Sequence, residues 1–384
     1  MEGHGGEQRP LWFIFALPIG SVALVCGVLL GGFLRVSIFN SAIAVVVGLI
    51  LFKFAPSKFQ PFTFFIFIAA FGFLRIAIGD LIVLSHHTIF TAARDWCDAL
   101  LGQSLHEPNR TLISGILFGG GSAFTPEWKQ VFRATGTMHV VAVSGTNVVF
   151  VVHWVEAILR KIKIGARKKL FALYFFIAAY MLMAGASASV VRAGIMAFVA
   201  HAAPHFGRRS HPLHALAAAV SLMVFINPTI ATDIGFQFSC LATFGLFIFS
   251  YSDSGSFAAT IGETIAATIC VMPLEIFYFK IFSFSAFIAN IAIAPFVPIL
   301  MLYGVGQIFA SILFPKNAMI IFLLGRFGDW SAHLALSILA AISHIPGSSG
   351  ELQISAPAVG IWYLIIAIYA VFRCRKLCRR IYTS

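Results

Sequence analysis

The chain is short of charge. Asp, Glu, Lys and Arg make up 10% of its 384 residues, where a soluble domain carries roughly a quarter. A soluble globule of this size is excluded, because it would lack the polar surface to cover its core. Acidic residues are the scarcer sign, 14 against 26 basic ones, for a formal net charge of +12. Cysteine is sparse as well, at six. Cys26, Cys240 and Cys270 lie in apolar runs, Cys97 stands alone, and Cys374 and Cys378 form a CxxxC in a basic tail. That pattern excludes a disulfide framework and a zinc site. There is no Walker A loop, GxSxG elbow or Rossmann fingerprint. The paired histidines (His86-His87, His201/His205, His211/His214) join no carboxylate or cysteine pattern with metal-ligand spacing. No enzymatic activity, cofactor or metal is expected.

What is present is apolar length. Hydrophobic residues are 60% of the chain, and 41 residues are Phe. Apolar segments fall at 11–34, 38–55, 60–79, 137–158, 170–186, 188–203, 212–226, 230–250, 258–279, 285–313, 317–345 and 355–372. Several reach the roughly 20 residues that cross a bilayer as helix. The expectation is an all-α polytopic membrane protein with about 10–12 transmembrane helices, several of them broken or re-entrant. The run at 11–34 is longer than a signal-peptide core and is expected to stay as a first helix.

Basic residues set the sidedness. Arg160, Lys161, Lys163, Arg167, Lys168 and Lys169 crowd one loop, Arg208 and Arg209 another, and the tail "RCRKLCRR" a third. Lys and Arg collect in cytoplasmic loops, so these loops and both termini are expected on the cytoplasmic side of the membrane. Lys53 and Lys58 agree with that count. The organisation then reads as N-terminal spans over 1–80, an extracytoplasmic stretch over 81–135, a membrane core over 136–373 and a basic tail over 374–384. In the extracytoplasmic stretch, Ile89, Ala93, Trp96, Leu100 and Leu101 recur at helical spacing with Arg94, Asp95 and Asp98 opposed. This predicts an amphipathic helix on the outer membrane face. The following "EPNRTLISGILFGGGS" ends in three glycines, which favour a turn or a re-entrant segment over a span.

Four polar constellations interrupt the apolar chain. "ATGTMHVVAVSGTNVVF" places His139, Ser144, Gly145 and Asn147 inside a span. Thr137, Ser144 and Asn147 would share a helical face, and Gly145 would break it, leaving a helix N-terminus that favours anions; small-residue packing with polar glue is the alternative. "GASASVVRAGIMAFVAH" pairs Gly185 with Ser189 and Ala184 with Ala188 at the spacing of close helix contact, and then buries Arg192. An intramembrane Arg is costly; it would bind phosphate oxygens or lock the bundle through Asp233 or Glu275. In "NPTIATDIGFQFSCLATFG", Asp233 and Gln237 lie four apart, as do Ser239 and Thr243. Asp233 suits a counter-ion, a proton carrier or, most simply, a helix cap. Finally, Pro273, Pro295 and Pro298 are expected to interrupt two spans beside Glu275 and Asn290, as discontinuous helices do in transporters.

Four stretches in this order resemble the ComEC-type competence proteins, the DNA-internalisation channels of natural transformation: 132–148, 183–196, 227–246 and 273–298. The likeness covers roughly 105–345. Many members read Leu-His where this chain has Thr146-Asn147; Asn keeps a donor and an acceptor but cannot titrate. The interval 81–106 is too short for the family's OB-like insert, and a metallo-β-lactamase-like nuclease domain is not expected. The resemblance implies passage of single-stranded DNA across the bacterial inner membrane, with a lipid bilayer around the chain, separate DNA-binding and nuclease partners, and a possible homo-oligomer. The channel residues would be His139, Ser144, Gly145, Asn147, Arg192, Asp233, Gln237, Glu275 and Asn290. The alternatives are a small-solute or ion-coupled transporter on a related scaffold, or a structural membrane protein.

Overall fold

The computed structural model describes residues 21–26, 88–120, 123–207, 211–249, 257–315, 318–345 and 349–383. The segments at 38–55 and 60–79, most of 11–34, and Arg208 and Arg209 lie outside the described residues. Apart from one small ribbon, the described elements are helical. They are α1 (Thr88–Leu101), α2 (Asn109–Phe118), α3 (Pro126–Ala134), α4 (Met138–Val141), α5 (Gly145–Lys161), α6 (Ala166–Met183) and α7 (Ala188–Ala202). There follow α8 (Pro212–Ile226), α9 (Ile234–Phe249), α10 (Phe257–Phe279), α11 (Ser285–Ile293), α12 (Phe296–Leu313), α13 (Ala318–Ser343) and α14 (Ala356–Thr383). Strands β1 (Ile281–Ser283) and β2 (Ser349–Glu351) pair antiparallel, with Phe282 opposite Gly350.

Among the described residues, three helical stretches are long and apolar enough to cross a membrane: Ile261–Phe279, Phe296–Leu313 and Ala356–Arg373. α8 and α9 are apolar but shorter, at 15 and 16 residues. Phe171, Leu313, Phe322 and Phe372 stand exposed on helices rather than packed inside, as residues facing lipid do. This is an all-α membrane protein.

The chain divides into two units. One holds residues 1–85 and 195–237, the other 86–194 and 238–384. In the first, α8 packs on the 3-10 turn Pro228–Thr232, and Ser21 Oγ donates to the Ala217 carbonyl at 2.7 Å. In the second, α2 is the centre. Leu112, Ile113, Ile116 and Leu117 are almost fully buried, and α1, α4, α12 and α13 pack around them. A ten-residue helix at about 1.5 Å per residue is too short to span, so α2 ends inside its neighbours, at Gly119 with φ 77°. That fits the turn or re-entrant segment expected there.

Three readings of the sequence are corrected. α10 runs unbroken through Pro273, so this proline does not interrupt a span. Pro295 does mark a break, between α11 and α12, and Pro298 sits in the first turn of α12, where a missing N–H costs little. Gly185 and Ser189 do not form one close-packing face. Gly185 closes α6 with φ 73°, its N–H on the Leu182 carbonyl and that of Ala186 on Met181. This is a Schellman ending, which favours glycine, and Ser189 belongs to α7. In α1, Cys97, Leu100 and Leu101 are the buried face, while Trp96 is exposed. Two of the charged residues of α1 bond to protein, Arg94 to the Gly119 carbonyl and Asp98 to Arg110, while Asp95 is exposed.

Candidate functional site

The site is built by the way α3 hands over to α5. α3 ends in a second Schellman motif, with Gly136 at φ 62°, its N–H on Arg133 and the N–H of Thr137 on Phe132. Thr135 and Thr137 are fully buried, and their hydroxyls bond each other at 2.8 Å. Ser283 and Ser285 both donate to the Ala134 carbonyl, at 2.7 and 3.1 Å. Upstream, the Thr125 hydroxyl and the backbone N–H of Glu127 hold the Glu127 carboxyl below the ordinary carboxylate range. After this anchored turn comes the single turn of α4. Ser144 is then extended, at φ −97° and ψ 164°, and α5 begins at Gly145. Thr137 and Ser144 therefore lie on opposite sides of the break and do not share the helical face expected for them.

The first N–H of a helix has no partner within it. In α5 that donor, Gly145 N–H, goes to Ser189 Oγ at 3.1 Å. Ser239 Oγ–H donates to the same serine at 2.9 Å. Arg192, one turn beyond Ser189 on α7, is 6% exposed. Its Nε donates to Ser239 Oγ at 2.9 Å and its Nη1 to Thr243 Oγ1 at 2.6 Å. Ser239 and Thr243 are four apart on α9, so one face of that helix meets the guanidinium fork. On the other side of the guanidinium stands Gly145. A β-carbon there would lie 2.8 Å from Arg192 Nη2 and 3.3 Å from Ala193 Cβ, so only glycine fits without a shift.

A guanidinium beside the start of α5 sets two positive ends against each other. A helix N-terminus repels a cation and attracts an anion. The cluster thus combines a planar cation, aligned hydroxyls and a helix dipole, the chemistry that receives a phosphate oxygen.

The other expected site residues fall elsewhere. Asn147 is buried and ties α5 to α2: its Nδ2 donates to the Ile116 carbonyl at 2.8 Å, and its Oδ1 accepts from Ser144 Oγ at 2.9 Å. His139 is exposed on α4, with Nδ1 3.1 Å from the Gly136 carbonyl. Asp233 and Gln237 belong to the other unit. Asp233 Oδ1 accepts the Phe236 N–H at 2.7 Å, and Gln237 Nε2 donates to the Ala231 carbonyl at 2.9 Å, the geometry of a helix cap. Glu275 is half-buried on α10. Asn290 Oδ1, on α11, is buried without a hydrogen-bond partner.

A second polar junction was not expected from the sequence. Asp329, midway along α13, accepts from the backbone N–H of His106 at 3.2 Å and lies 2.7 Å from His106 Nδ1. Asn109 Nδ2, at the start of α2, donates to Asp329 Oδ1 at 3.1 Å. The available signal was a carboxylate within the apolar segment 317–345.

Comparison with known proteins gives two matches. The family model described as Competence protein matches residues 116–377, more than half of the chain. ComE operon protein 3 of Bacillus subtilis (strain 168) is 25% identical over 206 residues, 52% of this chain and 26% of that protein. The chain thus spans about a quarter of the length of this relative. No solved structure matches it significantly. With the break at Gly145, the Arg192 cluster and the Pro295 break all inside the matched range, the chain belongs to the Competence protein family.

Proposed function

We propose that this chain is the membrane core of a channel that passes single-stranded DNA into the cytoplasm during natural transformation. It would act in the inner membrane with both termini cytoplasmic, as a conduit rather than an enzyme. Separate DNA-binding and nuclease proteins would supply what a conduit does not, and a homo-oligomer is compatible with the reading. The observation that carries it is Arg192. A buried guanidinium held by two hydroxyls against a helix N-terminus suits transient contact with successive phosphates. Such contacts read no bases, which a route for arbitrary sequence requires. Membership of the Competence protein family supports the same reading.

The test is uptake of labelled DNA by a deletion strain, complemented with the wild-type chain or with Arg192→Ala at equal expression. Deletion is expected to abolish uptake, and Arg192→Ala to leave it abolished. Unchanged uptake in the deletion strain would remove the proposal. Flux of a small solute through the reconstituted chain, without DNA, would favour the transporter reading instead. That reading draws on Asp233, Glu275 and the proline breaks; α10 is continuous at Pro273, while the break at Pro295 is present.

A further inference from the structure

The hairpin between α5 and α6 carries a patch that the DNA reading does not use. Arg160, Lys161, Lys163, Arg167 and Lys168 are all exposed there. The nearby acidic group, Glu156, is 3.9 Å from Arg160, so the patch is strongly positive. Apolar side chains are threaded between the cations. Ile158 is 60% exposed, Ile162 43% and Ile164 37%, and Phe171 on the first turns of α6 is 75% exposed. Ile162 is in extended backbone, at φ −88° and ψ 127°, and Gly165 has open space around it.

Two kinds of polyanion could meet such a patch, and the interleaved residues decide between them. A nucleic-acid strand is held by cations together with aromatic faces on which bases stack. The loop itself, 155–170, has no aromatic residue, and Phe171 just beyond it gives the patch one exposed ring rather than a series on which successive bases could stack. Exposed isoleucines beside lysines are instead suited to the bilayer interface, where aliphatic side chains enter the acyl boundary and ammonium groups stay at headgroup level. Four to eight basic residues next to a membrane helix make up the pattern that recognises anionic lipid.

We infer that the α5–α6 hairpin is a docking surface for anionic phospholipid headgroups, seated by Ile162 and Ile164 and selected by Lys161, Lys163, Arg167 and Lys168. The inference stands apart from DNA passage and rests on the membrane character of the chain.

The test uses the purified full chain in detergent, titrated with short-chain phosphatidylglycerol and, separately, with phosphatidylcholine. Bound lipid is counted by native mass spectrometry. The wild-type chain is expected to prefer phosphatidylglycerol. Joint replacement of Lys161, Lys163, Arg167 and Lys168 by Gln should weaken phosphatidylglycerol binding by roughly several hundred-fold, since each of the four basic residues near an anionic surface contributes about five-fold. Phosphatidylcholine binding should not change. Ile162→Ser with Ile164→Ser keeps every charge and should weaken both lipids. All of these side chains are exposed, so the fold is retained, which circular dichroism checks. A comparator replaces Arg375, Lys376, Arg379 and Arg380 with Gln and should keep the preference. Loss of the preference in the tail comparator alone would overturn the inference. So would indifference to the two isoleucines. So would a loop variant that loses binding of a labelled oligothymidylate while its lipid preference is unchanged.

Discussion

Arg192 Nη1 donates to Thr243 Oγ1 at 2.6 Å, joining the second turn of α7 to one face of α9. With Ser239 on the next turn, this fixes the plane of the guanidinium. Replacing Arg192 with Lys keeps the charge but cannot reproduce a planar fork. Arg192→Lys is expected to lower transformation by roughly ten-fold, the equivalent of one lost charge-assisted hydrogen bond. Arg192→Ala is expected to lower it further. Transformation frequency at matched membrane expression measures both, and wild-type frequency in the Ala variant would remove Arg192 from the route.

Gly145 tests the same contact from the other side. Gly145→Ala puts a methyl group against Arg192 Nη2. We expect a loss of about 1–3 kcal/mol in stability, the usual cost of overpacking, read as a lower unfolding temperature in detergent. Gly262→Ala is the control. Its added methyl meets nothing within 4 Å on α10, so it should leave stability unchanged or raise it by about 0.5–1 kcal/mol.

Asn147 locks the start of α5 onto α2 through the Ile116 carbonyl. Asn147→Leu removes a buried donor and leaves that carbonyl and Ser144 short of a partner. The expected cost is about 1–3 kcal/mol. Asn147→His keeps a ring N–H donor and should retain both stability and uptake. Equal damage by the two replacements would contradict the lock.

The His106–Asp329 junction predicts an asymmetry. The His106 side chain is 82% exposed and that of Asp329 16%. An exposed partner contributes little, so His106→Ala should cost less than about 1 kcal/mol. Asp329→Ala also strips acceptors from the His106 N–H and from Asn109, and should cost about 2–3 kcal/mol. Thermal unfolding of the two variants, with the double variant completing a cycle, measures the difference.

Much of the local structure is legible in the residues themselves. The break in the polar span was expected near Ser144-Gly145, and α5 does begin at Gly145. Glycine in an apolar helix with serine before it is a local signal, so no tertiary knowledge is needed. The short α2 ending in glycines was legible for the same reason. Pro273 and Gly185 were misread because one residue type has two uses. A proline bends or ends a helix according to whether neighbours satisfy the freed carbonyl. A glycine four residues from a serine serves a helix contact or a helix end, according to where the chain turns.

Composition and pattern by themselves determined that this is an all-helical membrane protein, that its chain breaks at Gly145 and at Pro295, and which motifs align it with the Competence protein family. These follow from short-range physics: the cost of burying charge, the length needed to cross lipid, and the conformational range of glycine and proline. Only the tertiary structure decided the partners. It set Arg192 on Ser239, Thr243 and the start of α5, gave Asn147 to Ile116, and joined Asp329 to His106 across 223 residues of sequence. A hydrogen bond between distant segments depends on which helix faces meet, and that is a property of the packed molecule.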